Sequence, residues 1–562
     1  MQFDHLWSEE KRAKSSPLFP NNGDIPTHTP AWETDLRVEG ADIARIPSSG
    51  PVVVTANHHS GMLHGSLLAK LLRRVRSDVK VLSYPARYPF LHAHKSRAGS
   101  QSLFLQFAET EALAWLREGG MLAISFGHEI FPWQLNPAQK NNSVWNELPM
   151  RLIRQTRASA LPVYICGHNP ALDFFASLRP GLKNTSATLE FPWQERRRAE
   201  VRVGGEISPD SIASITDATQ ATEYLRWRIQ LLARRSRSLT SGPAARHVKM
   251  ITKVQQPVAA AESADLLSVE LDALPSQRIL VESGELSAYL ACSNEIPRLM
   301  RELGRLREIT FRAAGEGTGK SRDLDRFDRN YSHILLWNKS KQELVGAYRA
   351  GNTAEILAQQ GVNGLYTSTL FRYNPQFFEK LGPALELGRS FVRPEYQRQY
   401  APLLLLWKAI ARLLAIQPEI AVVFGPVSIS NDYSKASREM IYRFFKARVR
   451  KDELAGLITP RKPFRPVGLR PWDCRAMCHA LRDVEDLSQP ITDVESDGKG
   501  LPILLRQYAK IGGKLLGFNV DRKFSNVLDG LMVVDLRKTE PAMLERYMGR
   551  ETAARFRLKH GL

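Results

Sequence analysis

The sequence predicts an α/β protein of two large domains, and three observations carry that expectation. The chain of 562 residues exceeds the roughly 250–300 at which a single core stops growing. Apolar runs of strand length alternate with helical stretches on both sides of a passage rich in Pro, Ala, Ser and Gln. A composition of 43% hydrophobic and 24% charged residues lies well away from disordered chains, so sizeable cores can be buried.

Residues 1–45, rich in Pro, Asn and charge, read as an N-terminal arm. From 46 to about 240 strand-like runs (PVVVTAN, VKVLSY, MLAISF, LPVYICG) alternate with helical stretches at Ser66–Arg76 and Gln106–Arg117, which defines a first α/β domain. Residues 241–275 read as a linker. A second domain, 276–562, opens with a helix around Glu295–Arg312 and strands at HILLWN and ELVGAYR. LELGRSFV, a helix at Leu403–Ile416 and AVVFGPVSIS follow. The remainder from Met440, including the strand-like GLMVVDL, is expected to pack on this second domain as a C-terminal extension.

A net charge of +20 points to anionic partners such as an acidic carrier protein or an anionic membrane surface. No nucleic-acid recognition motif accompanies the charge, so nucleic acid is not an expected partner. Residues 51–100 hold eight Lys or Arg against Asp78 alone. Four cysteines, Cys166, Cys292, Cys474 and Cys478, are too few for a disulfide framework, and no signal peptide opens the chain. A cytoplasmic protein, peripheral on the inner face of the membrane, is expected. The strongest apolar run, APLLLLWKAIARLLAI, is broken by Lys408 and Arg412. LLAKLLRRVR reads as an amphipathic helix, either resting on anionic lipid or packing its leucines in the core.

ANHHSGMLHG and the later GGMLAISFGHEIFP resemble the two blocks of the lysophospholipid acyltransferase family, over roughly residues 45–235. The resemblance implies that His58 is a catalytic base and that His64 stands where the family has an acid. It keeps Glu129 and makes Asn57 a substrate contact. A base must take the acceptor hydroxyl's proton, and a carboxylate on its other nitrogen would stabilise the imidazolium. His64 supplies no negative charge, so the domain is either a working O-acyltransferase with another acid in that role or a degenerate one. The histidines from His58 to His168 fit no standard zinc spacing, and no metal is expected.

Farther on, GRLREITFRAAGEGTGKSRDLDRFDRN, ELVGAYRAG, ALELGRSFVRPEYQRQYAPLLLLWKAI, FGPVSIS and FNVDRKFSNVLDGLMVVDL resemble, over about 278–548, the GNAT-like acyltransferases that place a hydroxyacyl chain on ornithine. These are kin to acyl-homoserine lactone synthases. With the first block, the chain resembles the bifunctional ornithine lipid synthases. The resemblance implies aminolipid synthesis: N-acylation of ornithine from acyl carrier protein or acyl-CoA, then O-acylation of the product, with no bound cofactor. Amine acylation needs a group to accept the surplus proton and polarisation of the thioester carbonyl. Glu386 is the expected base, with the alternative of a structural Glu–Arg pair. Arg389, Arg349, Asp325 and Asp328 are expected substrate contacts, with turn and salt-bridge duties as the alternative. Arg389 lies three residues from Glu386, so the two share a face only if the strand is bulged. Arg393, Arg398 and Lys408 are expected donor contacts. GEGTGK lacks the spacing of a phosphate loop and reads as a flexible glycine loop. Two other functions stay open at this point: acylation of another amino acid beside an inactive first domain, and a non-catalytic lipid- or carrier-binding protein.

Overall fold

The computed structural model describes residues 35–57, 61–82, 109–125, 148–166, 198–235, 255–466, 477, 480–522 and 524–562. The chain divides into two compact units, Met1–Arg237 with Arg470–Lys499, and Ser238–Leu469 with Gly500–Leu562.

In the first unit six described strands form one sheet: β1 (Asp35–Val38), β2 (Val52–Ala56), β3 (Val79–Leu82), β4 (Met121–Ser125), β5 (Ser159–Cys166) and β6 (Arg198–Val203). Their order is β1-β6-β5-β2-β4-β3, parallel except for the β5–β6 pair. Every residue of β2, VVVTA, is buried, as befits a central parallel strand covered on both faces. The helix Gly61–Leu72 buries Leu67, Leu68, Leu71 and Leu72 in the core beneath this sheet. These four leucines are therefore core residues rather than a lipid-facing stripe. Lys70, Arg73 and Arg74 stay exposed, whereas Arg76 is buried, donating to Asp78 and to the carbonyls of Gly50 and Gly119.

The expected packing of everything after Met440 on the second domain is corrected here. Arg470–Lys499 returns to the first unit, where the helix Val484–Val494 buries Asp493. The Asp493 carboxylate accepts from Arg228 Nε at 2.9 Å and Nη2 at 2.6 Å, and from the Gly205 N–H at 2.7 Å. Arg235 donates to the Asp493 carbonyl at 2.6 Å and also pairs with buried Asp42. Arg228 is fully buried; desolvation opposes its charge, and Asp493 more than offsets that, raising its pKa. Sequence reading missed this helix's home because its partners lie more than 250 residues away.

The linker expectation is corrected in its second half. The Gln256 N–H donates to the Gly319 carbonyl, and Ala264–Asp272 is a helix whose Leu267 and Leu271 enter the second unit's core.

The second unit is built on eight strands of one sheet: β7 (Ile279–Ser283), β8 (Leu286–Cys292), β9 (Ser332–Asn338), β10 (Glu343–Asn352), β12 (Ala384–Val392), β13 (Val422–Ile429), β15 (Lys514–Asp521) and β16 (Val527–Asp535). A separate ribbon joins β11 (Phe371–Tyr373) to β14 (Ile458–Pro460). The order in the large sheet is β15-β16-β13-β12-β10-β9-β8-β7, and all its pairs are antiparallel except β12–β13. The helix Pro297–Ala313 packs Leu299, Leu303 and Leu306 against Leu335 and Ala347 of the sheet. The helix Ala401–Ile416 lies against β7 to β10. Among the described residues, no helix is long and apolar enough to cross a membrane.

Candidate active site

The parallel pair positions the site. β12 and β13 pair only from Ala384↔Val422 to Glu386↔Phe424, after which the strands part. A cavity of about 420 Å³ opens there, with Leu387–Ser390 on one wall and Val423–Ser428 on the other. Gly425 stands where the strands diverge, and a Cβ at this position would lie 2.0 Å from the Leu387 carbonyl oxygen. Only glycine lets the backbones approach this closely.

On its other side β12 is bulged. Ala347 faces Phe391, yet Arg349 faces Gly388, so three residues of β12 span two of β10. Arg389 takes a left-handed φ of 49° within this bulge. The condition set by the sequence is thus met, and Arg389 turns to line the cavity. Its guanidinium sits 4.9 Å from the ring centroids of both Tyr366 and Phe524. Nε lies 3.1 Å from Asp323, Nη2 3.4 Å from Asp325, and Nη1 donates to the Tyr366 hydroxyl at 3.2 Å.

Arg349 does not join Arg389 on the cavity wall. Fully buried, its Nη1 donates to Asp325 at 2.6 Å and Asp328 at 3.2 Å, while Arg307 donates to Asp328 at 2.8 Å. Burial opposes ionisation of Asp328, but Arg307 and Arg349 hold its carboxyl well below the usual range. Asp325 and Asp328 also cap the 3-10 turn Arg326–Arg329 reciprocally. The expected contact of Arg349 and Asp328 with substrate gives way to a buried ion network that braces Arg389 through Asp325.

Glu386 is placed differently from the expected base. Its buried carboxylate accepts from the backbone N–H of Thr367 at 2.7 Å and of Tyr366 at 3.1 Å, and from the Tyr331 hydroxyl. It does not line the cavity. A base needs a free lone pair within reach of the proton it takes. Glu386 instead holds the turn that carries Tyr366, whose ring lies against Arg389, so it positions the site from behind.

Two carboxyl groups that sequence reading passed over face the cavity. Asp529 on β16 lies directly opposite Ser428 on β13, whose hydroxyl donates to it at 2.7 Å. Burial pushes the Asp529 carboxyl up to about 8, with Asp521 and Glu316 adding repulsion. Glu316, just past the helix Pro297–Ala313, is pushed up to about 7 by burial and by Asp432. Their only signal in the sequence was a carboxylate in otherwise apolar or glycine-rich text, VLDGLMVV and AAGEGTGK.

The glycine loop has a structural use. Backbone N–H groups of Thr318 and Gly319 donate to the buried Glu308 carboxylate at 3.1 and 2.8 Å, so this loop wraps an internal carboxylate rather than a phosphate. Of the expected donor contacts, Arg393 pairs with Glu343 and Glu395, Arg398 is exposed, and Lys408 is half-buried on the helix Ala401–Ile416. That helix begins without a side-chain cap, with Pro402 in its first turn.

In the first unit, Asn57 donates to the Ile165 carbonyl at 3.1 Å and accepts from its N–H at 2.6 Å, which ties β2 to β5 and commits the side chain expected to meet substrate. His58, the His64 side chain, Glu129, the other clustered histidines, Cys474 and Cys478 lie outside the described residues. The neighbouring parallel strands β2 and β4 end in register, Ala56 beside Ser125. The two strands that precede the motifs therefore both finish at the carboxyl end of the sheet, the end where open α/β sheets bind ligands.

With this geometry in view, residues 306–408 match the model of the acetyltransferase (GNAT) domain. The chain belongs to the GNAT acyltransferases, and it is an acyltransferase. It is 31% identical over 280 residues to the glycine N(alpha)-acyltransferase of Bacteroides thetaiotaomicron, covering 47% of this chain and 81% of that protein. A protein of the same name from Phocaeicola vulgatus is 32% identical over 253 residues, covering 42% of this chain and 76% of that protein. The L-ornithine N(alpha)-acyltransferase of Brucella abortus is 24% identical over 283 residues, covering 48% and 91%. Among solved structures, a CoA-dependent acyl-homoserine lactone synthase is 14% identical, covering 48% of this chain and 97% of its own, with a TM-score of 0.23. A purely binding role is set aside by the sequence relationships.

Proposed function

We propose that the second unit transfers an acyl chain from a thioester to the α-amine of an amino acid. The observation that carries this reading is the cavity between β12 and β13, which presents an arginine and two carboxyl groups on walls that are otherwise largely apolar. A zwitterionic acceptor needs both signs of charge, and an acyl thioester needs apolar wall. The parted strands leave backbone groups of Leu387–Ser390 without β13 partners, available to a donor's pantetheine amides. Acyl carrier protein and acyl-CoA both supply that arm, and the positive net charge suits an acidic carrier. Two relatives above 30% identity carry glycine in their names, and the ornithine relative is more distant, so glycine is tried before ornithine.

The first unit is read as an O-acyltransferase that acts on the N-acylated product, completing a two-chain aminolipid at the cytoplasmic membrane surface. Its support is that β2 and β4, which precede His58 and Glu129 in the sequence, end in register.

The test is mass spectrometry of purified full-length protein incubated with acyl-CoA or acyl carrier protein and a panel of amino acids including glycine and ornithine. An N-acyl amino acid is expected, and a hydroxyacyl product supplied with more donor should gain a second chain. Thioester hydrolysis without any amide would sink the N-acyl reading, and amide without a second chain would sink that of the first unit.

A further inference from the structure

The carboxyl groups of Glu316 and Asp529 reach the cavity from different elements, one following the helix Pro297–Ala313 and one on β16. Neither makes an ion pair among the described residues. Asp529 faces the Ser428 hydroxyl on β13, Asp521 on β15, Glu316 and, more weakly, Arg389 on β12. Glu316 faces Asp432, in the loop after β13. The same cavity holds a further polar group without a settled partner: the buried Tyr348 hydroxyl, close to Tyr508, Trp407 and Ser390, makes no well-formed hydrogen bond. A buried donor left open on a cavity is costly unless a ligand or water completes it.

We propose that Glu316 and Asp529 together receive the acceptor's ammonium group and take its proton, while Arg389 meets the acceptor's carboxylate. This rests on the reading of the second unit as an amino-acid N-acyltransferase. Burial raises both carboxyls, with Glu316 repelling Asp529 and Asp432 repelling Glu316, so near neutral pH the cavity retains a proton on one or the other. An arriving cation relieves that repulsion and finds one carboxylate able to accept. A proton passes from the ammonium to the carboxylate, leaving a neutral amine. The amine nitrogen then bonds to the thioester carbon, the C–S bond breaks, and the thiolate leaves with a proton. The sum is thioester plus ammonium giving amide, thiol and one proton, which departs to solvent through the carboxyl pair. No oxidant or metal enters the balance. Glu386 does not share this task, because it does not line the cavity and its carboxylate already accepts from the Thr367 and Tyr366 N–H groups and the Tyr331 hydroxyl.

The experiment compares purified full-length wild type with Glu316→Gln, Asp529→Asn and the double variant. Rates of N-acylation are followed across a range from about pH 6 to 10, alongside donor KM and thermal melting. At neutral pH each single variant is expected to lose about 100-fold or more in kcat/KM for the amine, the usual scale of general-base assistance, with donor KM unchanged. The deficit should shrink as pH rises and the amine deprotonates unaided. In wild type itself, kcat/KM should level off near neutral pH instead of climbing with the amine's own ionisation, a readout that needs no variant to fold. Variants that keep the wild-type rate and pH profile would overturn the carboxyl assignment and leave N-acylation standing. A loss that high pH does not recover would overturn the proton-accepting role as well. If wild type forms no amide with any amine or donor, the functional reading fails and takes this inference with it.

Discussion

At Asp529 burial and hydrogen bonding pull in opposite directions, and burial wins, since desolvation lifts the group to about 8 although the Ser428 hydroxyl favours the carboxylate. The consequence for stability has a definite sign. Between the ordinary carboxylate range and about pH 8 the folded chain holds a proton that the unfolded chain has lost, so this residue's contribution declines as pH rises through that window. Asp529→Asn removes the decline. The variant is expected to match wild type near about pH 4 and to melt higher at about pH 8.5, by roughly 2 °C for each kcal/mol recovered in a unit of this size. Differential scanning calorimetry at the two pH values checks it, and a gain that is larger in acid would contradict the raised carboxyl. The residue was illegible in sequence for a plain reason. Its environment is made by Ser428 and Glu316, 101 and more than 200 positions away, and no local pattern announces that convergence.

Among elements, the strands and helices were legible where period and composition spoke together. HILLWN, ELVGAYR and AVVFGPVSIS became β9, β10 and β13, and Glu295–Arg312 became Pro297–Ala313. The β12 bulge was legible as a requirement, since Glu386 and Arg389 could not otherwise work from one strand, but its outcome was not. The bulge turned Arg389 toward the cavity and left Glu386 behind it, where its carboxylate accepts from Tyr331 and from the N–H groups of Tyr366 and Thr367. The close approach of β13 to β12 at the point where they part depends on Gly425. Gly425→Ala would force a methyl into the Leu387 carbonyl, and overpacking of this kind costs roughly 1–3 kcal/mol. The expected result is a less stable second unit with sharply reduced acyl transfer, read from denaturant melts and turnover. Unchanged stability would mean that the strands have slack where none is drawn.

For the whole molecule, the ordering of the two units along the chain was legible, and the strand alternation defined the first of them. Its discontinuity was not, because VEDLSQPITDV carries no mark of the partner it serves 265 residues earlier. Asp493→Ala would strand the fully buried Arg228, a change that typically costs about 3–5 kcal/mol. Limited proteolysis should then cleave the first unit faster while the second keeps its wild-type pattern. Equal loss in both would place the effect elsewhere. The arrangement also sets a timetable for synthesis. At roughly 5–20 residues per second, the ribosome finishes Arg228 on the order of tens of seconds before it delivers Asp493. During that interval Arg228 is without the carboxylate that pairs it in the folded chain, so the first unit is completed only when the late helix arrives.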